Sequence, residues 1–143
     1  MLQENLKLTG KLSIAINDEV VKEVDNLVVS DGKDFVASRM EGTTDAVMSH
    51  MAIGTGSTAA AAGDSALGSE VARVALTSTT VSSNTVTYVA TFGAGTPSSA
   101  AAVTEAGLLN ASSAGTMLCR TVFDVVNKGT ADSMTITWTV TVS

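Results

Sequence analysis

The chain has 143 residues, a formal charge of -6 and only 3% aromatic residues. That length supports one domain, expected to bury ~70% of its unfolded surface. Only eight Lys and Arg residues are spread along it, which excludes a nucleic-acid surface. One cysteine, Cys119, excludes an intramolecular disulfide, and a lone His50 leaves too few ligands for a Cys/His metal site.

The core must then be built from small and β-branched side chains around a few anchors: Trp138, Tyr88, Phe123, Phe35 and Phe92. The opening MLQENLKLTGK lacks a charged region followed by an apolar run, and no stretch reaches the ~20 apolar residues that cross a bilayer. A protein made and kept in the cytoplasm, without membrane contact, is the expectation.

Residues 1–10 read as an N-terminal arm. Leu12, Ile14 and Ile16 alternate with polar or small residues, the period of a half-buried strand. Asn17 and Asp18 supply a turn, and Glu19 to Val24 returns as the second strand of a hairpin, which Leu27 to Val29 continues or follows. Ser30 and Asp31 are candidate caps for one short helix over Gly32 to Met40, with Gly42 ending it. Val47 to Ile53 is the next strand. It leads into a low-complexity connection, 55–70, whose Gly63 and Gly68 favour an extended surface path over a helix.

Val71 to Thr79 and Thr85 to Phe92 flank the polar Thr80 to Asn84 as a second hairpin. Gly93 to Ser99 is a loop. Val103 to Leu109 and Thr116 to Val126 form a third hairpin across Ser112, Ser113 and Gly115. Residues 127–132 turn the chain into the last strand, where Met134, Ile136, Trp138, Val140 and Val142 alternate with threonines. Seven to nine strands at hairpin spacing predict a single all-β, mostly antiparallel domain over 1–143, a β-sandwich or jelly roll with one short helix near 32–40.

Candidate chemistry is sparse. Gly54-Thr55-Gly56-Ser57-Thr58-Ala59 fits the loose form G-x-G-x-x-A of dinucleotide sites, but no helix of useful length follows and no phosphate-binding lysine is present. Ser49 and His50 are adjacent, and strand alternation sends them to opposite faces, so no nucleophile and base pair is expected. Cys119 reads as a buried structural thiol and His50 as a packed or surface side chain. Asp31 with Asp34, or Glu19 with Glu23, are acid pairs without a desolvating setting, and the turn at Asp31 and Asp34 lacks the spacing of a calcium loop. Symmetric closure of the 110–115 turn sets Glu105 opposite Arg120, a pair that fixes register and, if exposed, is worth only ~0 to 1 kcal/mol. No catalytic residue, metal or cofactor is expected, and the chain reads as a non-enzyme.

The segments NLVVSDGKDFVASRM, MSHMAIGTGSTAAAAGDSALGSEVAR, TYVATFGAG, VTEAGLLNASSAGTMLCRTVF and TADSMTITWTVTVS, in that order, resemble the small virion structural proteins of tailed bacteriophages. The resemblance runs from Lys11 to the end of the sequence. It implies a β-rich accessory protein of the virion, most readily a decoration or cement protein on the outer surface of the major capsid protein. A tail, baseplate or fibre attachment protein is the second reading and a small-molecule-binding enzyme the third. The connection 55–70, with its alanines and Leu67, is too long and apolar to hang free. Thr58, Ala60, Ala62, Asp64 and Leu67 are therefore the expected interface residues, packing with the arm against neighbouring subunits. A homo-oligomer follows, with a trimer matched to local threefold capsid positions ahead of a twofold dimer.

Overall fold

The computed structural model describes residues 6–42 and 45–143. Its elements in chain order are β1 (Leu8–Ile16), β2 (Glu19–Val28), α1 (Ser30–Glu41), β3 (His50–Gly54), β4 (Glu70–Ala75), β5 (Ser78–Ser82), β6 (Thr85–Phe92), β7 (Ala101–Leu109), β8 (Met117–Lys128) and β9 (Met134–Val142). All strand pairs are antiparallel, in one nine-stranded sheet of order β4-β3-β7-β8-β2-β1-β9-β6-β5. The expected all-β class with one short helix is what the chain adopts.

The sheet curls into a sandwich-like fold because β2 belongs to both halves. Its residues Glu19 to Asn26 pair with β1, whereas only Leu27 and Val28 pair with β8. One leaf therefore holds β2, β1, β9, β6 and β5, and the other β8, β7, β3 and β4. Between them lie Leu12 and Ile14 of β1, Phe92 of β6, Ile136 and Trp138 of β9, Met51 and Ile53 of β3, and Val103 and Leu108 of β7, all buried. Phe123 is buried too, and Tyr88 packs half-buried against the same cluster. Burial raises the Tyr88 phenol to about 12, with Cys119 adding to the shift.

Local chemistry explains the turns. Asn17 and Asp18 adopt φ values of 50° and 69°, the left-handed pair that lets a two-residue turn follow strand twist. β2 then runs unbroken to Val28, and β1 begins before the expected arm ends. Lys7 N–H donates to Ser143 C=O at 2.7 Å and Ser143 N–H to Lys7 C=O at 2.9 Å, so residues 7–10 extend the sheet. The first part of that arm, residues 1–5, lies outside the described residues.

Helix α1 starts at Ser30, and Val29 occupies the N-cap without a side-chain cap bond, in place of the expected Ser30 or Asp31. The Ser30 N–H is taken instead by the Ala62 carbonyl at 2.7 Å. Gly32 is needed in the first turn because a Cβ there would run into the Leu118 carbonyl of β8. Gly42, at φ 80°, ends the helix as expected.

The segment Val71 to Thr79 is two strands rather than one. Leu76 N–H donates to Ser49 C=O in one leaf, and Thr77 N–H to Val89 C=O in the other, so the chain changes leaf between these residues. Thr80 to Ser82 belong to β5, and the hairpin turn is only Ser83 and Asn84. The strand before the connection is also shorter than expected, beginning at His50, and Met48, just ahead of it, joins the main core.

Candidate functional site

Glu105 and Arg120 lie on the outward side of the second leaf, yet they are 0% and 2% exposed. Their pairing differs from symmetric closure: Glu105 sits opposite Val122, and Gly107 opposite Arg120. Two one-residue slips cause this: the turn closes with Leu109 opposite Met117 instead of Thr116, and β8 then carries one extra residue. Leu109 pairs with Met117 and Leu108 with Cys119, so Leu118 is bulged and the register slides. The two side chains meet diagonally across the missing side chain of Gly107. Arg120 Nη2 and Nε donate to Glu105 Oε1 at 2.9 and 3.2 Å.

What buries this pair is the connection 55–69, which runs over it as a strap. Glu105 Oε2 accepts the N–H groups of Gly56 and Ser69, both at 2.7 Å, and Oε1 accepts that of Gly68 at 2.8 Å. Arg120 Nη2 reaches the Thr58 carbonyl at 3.0 Å, and Nη1 pairs with Asp64 Oδ2 at 2.8 Å. Asp64 in turn accepts the Ala61 N–H at 2.8 Å, which folds the alanine run into a tight turn. Thr104 Oγ1 donates to Gly56 C=O at 2.7 Å from the neighbouring strand position.

This geometry accounts for the glycines. A Cβ on Gly54 or Gly56 would collide with the Glu105 carboxylate. Gly56 of the G-x-G element joins Gly68 and Ser69 in a backbone cradle, the kind of device that holds phosphates elsewhere, but occupied by a carboxylate of its own chain. Burial works to raise the Glu105 pKa, and the donors from Gly68, Ser69, Arg120 and Gly56 outweigh it, holding the carboxyl below its usual value. The Ala61 N–H, followed by Arg120, likewise lowers Asp64 against a smaller opposing effect of burial.

Beside the charges, Leu67 closes over Val29, Ala52, Leu109 and Met117, forming a second apolar cluster beneath the strap. The side chain of Gly107 is absent where a Cβ would press on Met117 and Leu67. Leu67 thus needs no neighbouring subunit to cover it, because the strap buries it against the chain's own sheet. Of the expected interface residues, Thr58 and Ala62 are exposed, Ala60 and Asp64 are half-buried, and Leu67 is buried.

Other candidates fall elsewhere. Ser49 Oγ and His50 Nδ1 are in fact hydrogen-bonded at 2.8 Å, contrary to the alternation argument, at the residue just ahead of β3, where the Ser49 backbone still bonds to Leu109 and Leu76. Among the described residues His50 makes no bond to a carboxylate that would orient it as a base. Asp31 and Asp34 line a shallow groove with Asp45, and no cluster of three or more His, Cys, Asp or Glu residues placed to hold a metal occurs among the described residues. Cys119 is buried, and burial raises its thiol well above the usual range.

Two basic side chains carry structural roles that strand reading missed. Arg73 forks onto Glu70 and donates to the carbonyls of Ala111 and Ala114, both at 2.9 Å. Lys128, 1% exposed, ties the loop at Gly93 to the turn at Asp132 through their carbonyls at 3.0 and 2.8 Å. A signal for the main site does exist in the sequence. A Glu and an Arg on otherwise apolar strands need donors and acceptors, and a glycine-rich connection can bring N–H groups close without Cβ atoms. Neither a family model, nor a curated protein, nor a solved structure matches this chain.

Proposed function

We propose that the protein is a non-enzymatic structural component of a tailed-bacteriophage virion, a decoration or cement protein seated on the outer surface of the major capsid protein. The observation that carries this reading is the strap. The Glu105, Arg120 and Asp64 charges are spent inside the chain on fixing one surface segment, which leaves Ser57 to Ala66 as a preset, small-residue face. A surface ordered before contact loses little entropy on docking, which suits a protein that must occupy many equivalent lattice positions. The order of motifs along the sequence, resembling small phage virion proteins, supports the same assignment.

The test is attachment. The purified chain is mixed with heads and, separately, with tails of the phage whose genome carries it, and occupancy is counted in particle images. Hundreds of copies on heads are expected. A handful on tails alone would transfer the protein to the tail or fibre reading, and binding to neither would overturn a virion role.

A further inference from the structure

The curled sheet ends in two edges, and they are treated differently. Edge strand β4 carries Glu70 and Arg73, joined at 2.7 Å, with Arg73 reaching across to the turn after β7, and its pairing with β3 is irregular at Gly54. Edge strand β5, Ser-Thr-Thr-Val-Ser, is exposed at every residue, keeps unbroken register with β6, and has neither charge nor proline. Val81 in its centre is 69% exposed. Charges, bulges and prolines are how natural sheets keep their edges from pairing. β4 has a charge pair and an irregular pairing, and β5 has none of these devices.

Charge also selects the occupant. Between Arg73 and Glu105 the sequence has no Asp, Glu, Lys, Arg or His, so β5 and its neighbour β6 form a neutral flank on a molecule of net charge -6. β9, the next strand inward, is also free of these residues. Two copies repel one another over most approaches, but not along this flank. We infer that β5 is a self-pairing edge, at which two copies of the chain join antiparallel about a twofold axis through Thr80.

The register follows from the hairpin. A two-residue turn at Ser83 and Asn84 makes Ser82 and Thr85 a hydrogen-bonded pair, so Thr80 and Ser78 also turn their backbone groups toward β6. Thr79 and Val81 turn theirs outward. Pairing centred on Thr80 sets Thr79 against Val81 of the second copy, satisfies the outward N–H and C=O of both, and covers Val81. Ser78 meets Ser82, and Thr80 meets itself in a non-hydrogen-bonded pair with Cα atoms about 4.5 Å apart. This dimer is independent of the strap and of attachment to a capsid.

The experiment uses the full chain. Light scattering across a concentration series should show monomer passing to dimer, and amide exchange at Thr79 and Val81 should slow as concentration rises, while Thr80 and Ser82 stay protected throughout. Val81→Pro, which removes an outward N–H, and Val81→Lys, which guards the edge, should remain folded by Trp138 emission and stay monomeric. Thr80→Cys should cross-link to itself on oxidation, whereas Thr79→Cys should not, because Thr79 faces Val81 in this register. A chain monomeric at every concentration, or a dimer whose protection develops away from Thr79 and Val81, would overturn the inference. If either Val81 variant fails to fold, the exchange pattern of the unmodified chain decides alone.

Discussion

Glu105 is the residue on which the strap depends. On an exposed hairpin its removal would barely register, but here it faces a guanidinium that is itself buried. Glu105→Gln leaves Arg120 with only the partly exposed Asp64 as counter-ion and is expected to cost about 3–5 kcal/mol in urea unfolding followed by Trp138 fluorescence. Acid should act on the same groups. The native pKa values of Glu105 and Asp64 are both lowered, so the unfolded chain binds more protons as pH falls. Their contribution is fully present above the unfolded carboxylate range of about 4 and is lost as pH drops through the native values. The unfolding midpoint should therefore decline on the acid side, and Glu105→Gln should flatten that decline. An identical acid limb in the variant would show that Glu105 is not the coupled group.

At the scale of elements, the β1–β2 hairpin and the seat of Trp138 are the clearest cases. Asp18 holds φ 69°, a conformation glycine adopts without steric cost. Asp18→Gly is expected to raise stability by about 0.5–1 kcal/mol, read as a higher midpoint with an unchanged m-value. Trp138 is fully buried on β9, and its Nε1 donates to Asn26 Oδ1 at 2.8 Å, at the point where β2 passes from one leaf to the other. Gly10, directly opposite Asn26, leaves the space that the amide fills. Trp138→Phe keeps most of the ring but strands that acceptor, and should cost about 1–3 kcal/mol in thermal or urea unfolding. Trp138→Ala should cost about 3–5 kcal/mol because it adds a cavity between the leaves.

For the molecule as a whole, the strap is part of the fold. Deleting Thr58 to Ala66 removes the Thr58 carbonyl and the Asp64 carboxylate from Arg120, and the Ala62 carbonyl from the start of α1. It also disturbs the seat of Leu67 over Ala52, Leu109 and Met117. The shortened chain is expected to unfold at lower urea and to bind an apolar dye that the intact chain does not. An unchanged midpoint would mean that the two leaves stand without their cover.

The sequence by itself determined the elements whose pattern is local. Alternation in β9 depends only on a side-chain period of two, and its even positions from Met134 to Val140 are buried as that period requires. The turn at Asn17 and Asp18 and the helix stop at Gly42 follow from residues that tolerate left-handed backbone. Tertiary structure decided the rest. Val71 to Thr79 reads as one strand because its β propensity is continuous, and it breaks at Leu76 only because consecutive N–H groups find partners in opposite leaves. The Glu105 register depends on a bulge at Leu118, which no hydrophobic period announces. Leu67 reads as an apolar residue in need of a neighbour until the strap is laid across its own sheet. Composition supplies the apolar side chain, but only a fold that brings residues 56, 68, 105 and 120 together can say which surface covers it.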